Sequence, residues 1–192
     1  MAYKKPKDYD DVRIGESRIL PAGGYVCKIL KAEETESKAG RPMIKVAFDI
    51  TDGEFAGYFR EKFDRWKTGS DDPMSVKWPF AGTKWILLYD NEGATNKEFK
   101  GFCTALEESG TEVWKNDTFD TARLKDAKVG VIFRREEHEY QNARSWRTVP
   151  CGFRSLKTIK EGTFNVPEDK PLPSRNYEPV DSFSALEDDI PF

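Results

Sequence analysis

The sequence offers few residue combinations that could catalyse a reaction. Its single histidine, His138, lies in the stretch REEHEY, and a Ser-His-Asp or Cys-His site would have to use it. The charged residues around it fit the end of a β-hairpin better. We therefore expect no nucleophilic active site.

Two further patterns match metal or phosphate chemistry only in part. Asp72, Glu98 and Lys100 are the residue types of a metal-dependent nuclease, but Glu98 and Lys100 open an amphipathic helix, not a strand. Asp64 and Asp71 add acids without a second set of ligands. The stretch AGTKW lacks the glycine spacing of a phosphate-binding loop. The sequence thus predicts a protein that is not an enzyme and has no cofactor and no metal.

Basic and aromatic side chains are interleaved in a pattern that suits single-stranded nucleic acid. Cations bind the phosphates, and flat rings stack on bases at about 1–3 kcal/mol per base. Aromatic residues make up 13% of the chain, more than a core of this size needs. The alternative for each residue is a solvated surface or a cover over the end of the fold. The expected DNA-binding residues are Lys38, Arg41, Lys45, Tyr58, Arg60, Lys62, Trp66, Arg134, Tyr140, Arg144 and Trp146, with Arg135 and Arg147 beside them.

Alternating apolar residues predict the strands that position these side chains. Residues 23–34 and 43–52 read as the first two strands, and Ile44, Val46, Phe48 and Ile50 share one face of the second. Residues 58–67 read as a third strand, with Phe59 and Phe63 on one side. On its other side we expect Tyr58, Arg60, Lys62 and Trp66. Residues 83–90 predict an extra strand, with a helical turn as the alternative. Residues 127–140 and 146–159 predict the last two strands, with an edge or bulge at Pro150.

One helix stands out, at about residues 96–108. Thr95 and Glu98 have the spacing of a capping box. The apolar residues that follow recur at helical spacing, and Gly110 marks the stop. These apolar residues are Phe99, Phe102, Cys103 and Leu106.

The order of three strands, a helix and two strands is that of an OB-fold. We therefore expect an all-β fold, a five-stranded Greek-key β-barrel with one main helix. The ligand face of an OB-fold is typically its second and third strands with the flanking loops.

Composition divides the chain into three parts. We expect a polar N-terminal arm at residues 1–20, the OB-fold single-stranded DNA-binding domain at 21–162, and a disordered, proline-rich acidic tail at 163–192. From Glu161 onward there are eight acids and two bases, so this part carries −6 and the rest +3, for a net charge of −3. A basic body with an acidic tail is typical of nucleic-acid-binding proteins.

The remaining composition predicts a cytoplasmic protein without a membrane segment, in the host cytoplasm if it is phage-encoded. The first residues, MAYKKPKDYDD, lack the apolar stretch of a signal peptide, and no apolar run is long enough to span a bilayer. Cys27, Cys103 and Cys151 form no CxxC pair, which argues against a disulfide framework or a zinc site.

The last residues, DDIPF, resemble the ending of bacterial single-stranded DNA-binding proteins. In that family the ending is a peptide that partner enzymes of replication and repair bind. The resemblance implies a partner-binding tip made of Asp188, Asp189, Ile190, Pro191 and Phe192. The short proline-rich tail departs from that family's long glycine-rich one, so its tetramer is not implied, and the oligomeric state, a homo-oligomer included, stays open.

The body resembles phage and mobile-element single-stranded DNA-binding proteins. The resemblance lies in LPAGGYVCKI, FKGFCTALEESG and FRSLKTIKEGTFNVPEDKP, within about residues 20–170. It implies a protein that binds and protects single-stranded DNA in replication, recombination or repair and recruits partners through its tip. One alternative is an adaptor or decoy that binds host replication and repair proteins through the tip with little DNA affinity. Another is a DNA-processing enzyme.

Overall fold

A five-stranded antiparallel sheet forms the centre of the molecule. A computed structural model describes residues 19–173. The strands of this sheet are β1 (Gly23–Glu36), β2 (Pro42–Ile50), β3 (Thr83–Leu87), β6 (Lys128–Tyr140) and β7 (Ala143–Arg154), and a small separate hairpin consists of β4 (Trp114–Lys115) and β5 (Thr118–Phe119). The spatial order is β3-β2-β1-β6-β7. Because β6 returns to lie beside β1, four of these strands have the spatial order of a Greek key.

The apolar alternation of β2 is confirmed. Ile44, Val46 and Phe48 are fully buried, and Ile50 is 2% exposed. Their rings and branched chains meet aromatic residues from other elements in one core. Phe59 stacks on Phe133 with ring centroids 6.0 Å apart. The inner face of the sheet is therefore set by the two-residue period of the strands.

The predicted central helix is present as α2 (Lys97–Glu108), and its four predicted apolar residues are buried. The predicted capping box is wrong. Asn96 is the N-cap, and its Oδ1 accepts a hydrogen bond of 2.8 Å from the backbone N–H of Glu98. The Glu98 carboxylate instead lies 2.7 Å from the ammonium of Lys84 on β3.

The predicted third strand is wrong, because residues 58–68 form the helix α1 (Tyr58–Thr68). Phe59 and Phe63 are four residues apart, a spacing that fits one face of a helix as well as one face of a strand. Phe59 enters the core, and the Phe63 ring lies 5.4 Å from that of Trp78. The third strand of the sheet is β3, which the sequence predicts as an extra strand.

A buried carboxylate holds the start of α1. Asp49 on β2 is 8% exposed, and its Oδ1 accepts hydrogen bonds of 2.9 Å from the backbone N–H groups of Ile50 and Phe59. Its Oδ2 accepts a third, of 3.2 Å, from the N–H of Arg60. Burial raises the pKa of Asp49, although these three donors oppose the shift. The helix N-terminus is thus satisfied by a residue of the sheet and not by its own N-cap, Gly57.

The sheet is not the closed barrel with one main helix that the sequence predicts. Within residues 19–173, no hydrogen-bonded ladder joins β3 to β7, and α1 is nearly as long as α2. A 3₁₀ turn (Phe80–Gly82) packs against both of these edge strands. A Cβ on Gly82 would lie 2.6 Å from Nε1 of Trp78, so glycine is required for this close packing.

The predicted irregularity at Pro150 is confirmed. Ile132 pairs with Gly152 and Phe133 with Pro150, so Cys151 is the extra residue of a bulge on an edge strand. After β7 the chain does not continue as a strand. It forms the short helix α3 (Leu156–Glu161), whose N-cap is Ser155.

The chain beyond α3 runs along the sheet up to the last described residue, Pro173. The backbone N–H of Lys170 donates to the carbonyl of Arg135, and the N–H of Glu137 donates to the carbonyl of Lys170, both at 2.9 Å. Asp169 also lies 3.3 Å from the guanidinium of Arg135. The expected tail therefore contacts β6 through Asp169, Lys170 and Leu172. In the described part of the chain, no helix has the length and apolar character needed to cross a membrane.

We predict that Asp49→Ala loosens α1 from the sheet. The substitution leaves two helix N–H groups without an acceptor, so the free energy of unfolding should fall by about 1–3 kcal/mol. Urea denaturation followed by circular dichroism measures this. Asp52→Ala is the matched control, since Asp52 is an exposed carboxylate 3.9 Å from Lys128. Equal stability of the two variants would contradict the anchoring role.

Candidate nucleic-acid interface

Three of the predicted DNA-binding residues lie side by side on α1. Tyr58, Lys62 and Trp66 are each four residues apart, so they occupy one face of the helix. The Lys62 ammonium lies 5.3 Å from the centroid of the Trp66 ring and 6.0 Å from that of Tyr58. Trp66 is 43% exposed. The helix therefore presents two rings and a cation together.

The 3₁₀ turn and the edge strands place further rings beside this helix face. Phe80 is 54% exposed, and its ring centroid lies 5.3 Å from that of Trp85 on β3, with 33° between the ring planes. The guanidinium of Arg147 on β7 lies 5.0 Å from the Phe80 centroid. Trp146, next to Arg147, is 41% exposed.

Two adjoining cavities join these side chains into one surface. The first has a volume of about 300 Å³ and is lined by Tyr58, Lys62 and Trp66 of α1 together with Phe80, Trp146 and Arg147. The second, of about 250 Å³, lies between β3 and β7, where Trp85 and Arg134 line it. Phe80 and Arg147 line both. We call this surface the aromatic groove: Tyr58, Lys62, Trp66, Phe80, Trp85, Arg134, Trp146 and Arg147.

The two cavities of the groove are lined by more cations than carboxylates: Lys62, Lys84, Arg134 and Arg147 against the single acid Glu136. Within residues 19–173, no carboxylate lies within ion-pair distance of Lys62 or Arg147, whereas Arg134 lies 2.5 Å from Glu136. Glu136 is also the partner of Arg147 in the register of β6 and β7, so Arg147 has a carboxylate on the neighbouring strand. Burial, with a contribution from the nearby charge of Arg65, lowers the pKa of Lys62. A lowered lysine pKa means that the charged form is held at a free-energy cost, which a bound anion would offset.

Several predicted DNA-binding residues lie outside the groove. Arg60 is exposed on another face of α1, where its guanidinium lies 5.1 Å from the Trp78 ring. Tyr140 is 69% exposed near the turn of the β6–β7 hairpin. Arg144 lies 3.8 Å from Glu137 and donates a hydrogen bond of 3.0 Å to the Pro173 carbonyl.

The three cations expected around β2 also line neither cavity. Lys38 is exposed in the turn between β1 and β2. Arg41 donates hydrogen bonds to Oδ1 of Asn91 at 2.8 Å and to the carbonyl of Tyr89 at 2.7 Å, so it holds the loop after β3. Lys45 lies 3.8 Å from Glu33 and pairs in register with Trp85, which puts it beside the groove.

Sequence reasoning missed Phe80 and Trp85 as members of the site. Phe80 lies in WPFAG, a stretch that reads only as a turn-rich excursion, and Trp85 lies in a short apolar run. A phenylalanine between Pro79 and a required glycine was the available signal, since large apolar residues are uncommon in solvated turns. For Trp85 there is no comparable signal, because nothing in the sequence of β2, the strand that pairs with it, indicates an exposed ring at this position.

Other predicted features differ in how far the structure describes them. Glu98 and Lys100 lie on a helix, and within residues 19–173 no group of three or more His, Cys, Asp or Glu side chains could hold a metal ion. His138 lies opposite Ser145 on the hairpin, with Nε2 3.3 Å from Oγ. The predicted partner-binding tip, Asp188 to Phe192, and residues 1–18 of the predicted arm lie outside the described residues.

Comparison with known families finds a match, over residues 7–73, to a family described as "Protein of unknown function (DUF669)". The match spans about a third of the 192 residues and includes β1, β2 and α1. It ends before the 3₁₀ turn, β3, β6 and β7, which supply the other five members of the groove. Comparison with curated proteins finds no match.

We predict that Lys62→Met raises the thermal unfolding midpoint at pH 7. The folded-state pKa of Lys62 lies below its ordinary value, so the folded protein binds this proton less tightly than the unfolded chain does. Wild-type stability should therefore rise, and the difference from the variant shrink, as pH increases through the folded-state pKa. Lys97→Met, at an exposed position on α2, is the control for scanning calorimetry at pH 7 and above. A lower midpoint for Lys62→Met would contradict the cost assigned to this charge.

Proposed function

We propose that this protein binds single-stranded DNA along the aromatic groove. The observation that carries the proposal is the joining of five aromatic rings with the cations Lys62 and Arg147 on one continuous surface. Single-stranded nucleic acid offers what this surface lacks, namely flat rings to stack and phosphates to pair with the cations.

The exposure of the rings supports a ligand more than a structural role. Trp66, Phe80 and Trp146 each leave more than two fifths of their surface in contact with solvent. Burial of apolar surface stabilises a protein by about 25 cal/mol per Å², and the exposed part of these rings does not contribute that free energy. Stacking a base on each ring recovers part of that free energy without any requirement for base sequence.

The sheet topology is compatible with this function. Its order, β3-β2-β1-β6-β7 with α2 between the third and fourth strands, fits an OB-fold whose barrel is left open between its third and fifth strands. In this proposal the open side between β3 and β7, covered by the 3₁₀ turn, is where the DNA lies. The ligand path then differs from the face of the second and third strands that the sequence predicts.

The proposal concerns DNA binding in replication, recombination or repair, and partner recruitment is a separate part of it. Recruitment through Asp188 to Phe192 depends on the sequence resemblance and on no described residue. The two parts are separable, because all members of the groove lie within residues 58–147 and the tip lies at residues 188–192.

We predict that Trp66→Ala weakens binding to a dT oligonucleotide by about 1–3 kcal/mol, or roughly 5- to 150-fold, because one base loses its stacking partner. Fluorescence anisotropy with labelled dT measures the affinity. Trp114→Ala is the matched control, since Trp114 is 37% exposed but packs against Phe119 of the small β4–β5 hairpin. Wild-type protein that does not bind dT at all would overturn the proposed function.

We predict that Arg147→Ala reduces the salt dependence of dT binding. Loss of one phosphate contact should lower the slope of log K against log salt concentration by about 0.7. The exposed Lys97→Ala should leave the slope unchanged. Affinity titrations between about 50 and 200 mM salt give both slopes. An unchanged slope for Arg147→Ala would remove this residue from the DNA path.

A further inference from the structure

Phe80 divides the aromatic groove into two unequal parts. On one side, α1, the 3₁₀ turn and β7 contribute walls to the first cavity, which has a volume of about 300 Å³. On the other side, the second cavity lies between the two edge strands of the sheet. A single strand of DNA that crosses the groove meets these two environments in succession.

The first cavity has the size and lining for one nucleotide. Its volume is at the lower end of the roughly 300–1,000 Å³ that is typical of small-molecule sites, so two stacked nucleotides do not fit inside it. Trp66 lines it from α1, and Trp146 lines it from β7. The ammonium of Lys62 lies beside Trp66, where it can meet a phosphate. A flat ring joined to an anion therefore matches this cavity.

The Phe80 and Trp85 rings act as one platform and not as a slot. Their centroids are 5.3 Å apart, whereas a base inserted between two rings needs about 7–8 Å, twice the optimal separation of carbon atoms. A base can thus stack on the outer surface of the pair but cannot enter between them. The base on this platform is a neighbour of the one in the cavity.

Arg147 lies at the junction of the two parts. It lines both cavities, and its guanidinium lies 5.0 Å from the Phe80 centroid. Within residues 19–173, no carboxylate lies within ion-pair distance of Arg147; its register partner on β6, Glu136, instead lies 2.5 Å from Arg134. A phosphate bound by Arg147 is therefore in reach of one nucleotide in the first cavity and of the next nucleotide on the platform.

We propose that the first cavity captures a single unstacked base, that Arg147 binds the adjoining phosphate, and that the Phe80–Trp85 platform stacks the neighbouring base. This inference rests on the proposed single-stranded DNA binding and adds a fixed register to it. Two consecutive nucleotides and the phosphate between them form the unit that is bound, and only one of the two bases leaves the stack. Extruding a base in this way costs little in a strand that is already unpaired.

The test is a scan of the shortest dT oligonucleotide that binds with full affinity, because a short ligand cannot shift its register. Each nucleotide in turn is replaced by an abasic one, and each phosphate in turn by a neutral methylphosphonate. Fluorescence anisotropy gives the affinities. We expect a loss of about tenfold or more at one abasic position and smaller losses elsewhere. The most sensitive phosphate should adjoin that position.

Variants then assign the sensitive position to the cavity. In the Trp146→Ala variant, an abasic nucleotide at that position should cost much less affinity than it does in the wild type. The affinity losses at the other abasic positions should stay as in the wild type. Trp85→Ala should act only on the neighbouring base, and the control Trp114→Ala should leave the whole profile as in the wild type. Circular dichroism checks each fold, and Trp66→Ala replaces Trp146→Ala if the latter does not fold.

The outcomes separate this inference from the proposed function. Tight dT binding with equal losses at every abasic position would overturn the single-base cavity while DNA binding stands. A sensitive position that Trp146→Ala and Trp66→Ala both leave unchanged would likewise overturn it. No binding of the wild-type protein to any dT oligonucleotide would overturn both.

Discussion

The carboxylate of Asp49 is the interaction on which the candidate site depends. It lies at the end of β2, and it accepts the N–H groups of Phe59 and Arg60, which the start of a helix leaves without partners. These hydrogen bonds and the burial of Phe59 in the core determine where α1 begins. They also determine which face of α1 is exposed to solvent. Burial of a charged carboxylate is unfavourable, and three backbone donors at one group are what offset it.

The sequence predicted part of the candidate site although it predicted a strand where the structure has the helix α1. Residues 58, 62 and 66 share a face whether the chain is a strand, with a period of two, or a helix, with neighbours four apart. Residue 60 shares that face only in a strand. In the helix it lies on another side, and the structure accordingly places Arg60 over Trp78 and outside the groove. The four-residue spacing of Tyr58, Lys62 and Trp66 therefore kept them together in the groove, whereas Arg60 lies outside it.

The same reasoning separates what the sequence could predict from what it could not. Strands β1, β2, β6 and helix α2 have patterns of burial that are local, so the residues of each element are sufficient to predict it. The cap of α1 comes from Asp49, and the packing of the 3₁₀ turn depends on Trp78 and Phe59 around Gly82. Such contacts join separate segments, and no pattern within one segment predicts them. Trp85 was missed for that reason, because only the turn brings its ring against that of Phe80.

Anchoring to the core also bears on the free energy of binding. The groove side chains stand on a helix fixed by Phe59, on a turn fixed by the Trp78–Gly82 hydrogen bond of 3.0 Å, and on an edge strand of the sheet. Their backbone is therefore ordered before a ligand arrives, and less conformational entropy is lost on binding than a flexible loop would lose. The charge of Lys62 would act in the same direction in the proposed complex, since its cost is already present in the free protein and a bound phosphate would relieve it. A preordered surface of this kind would select a ligand by its charge and its flat rings, and in the proposed complex with DNA it would not read base sequence.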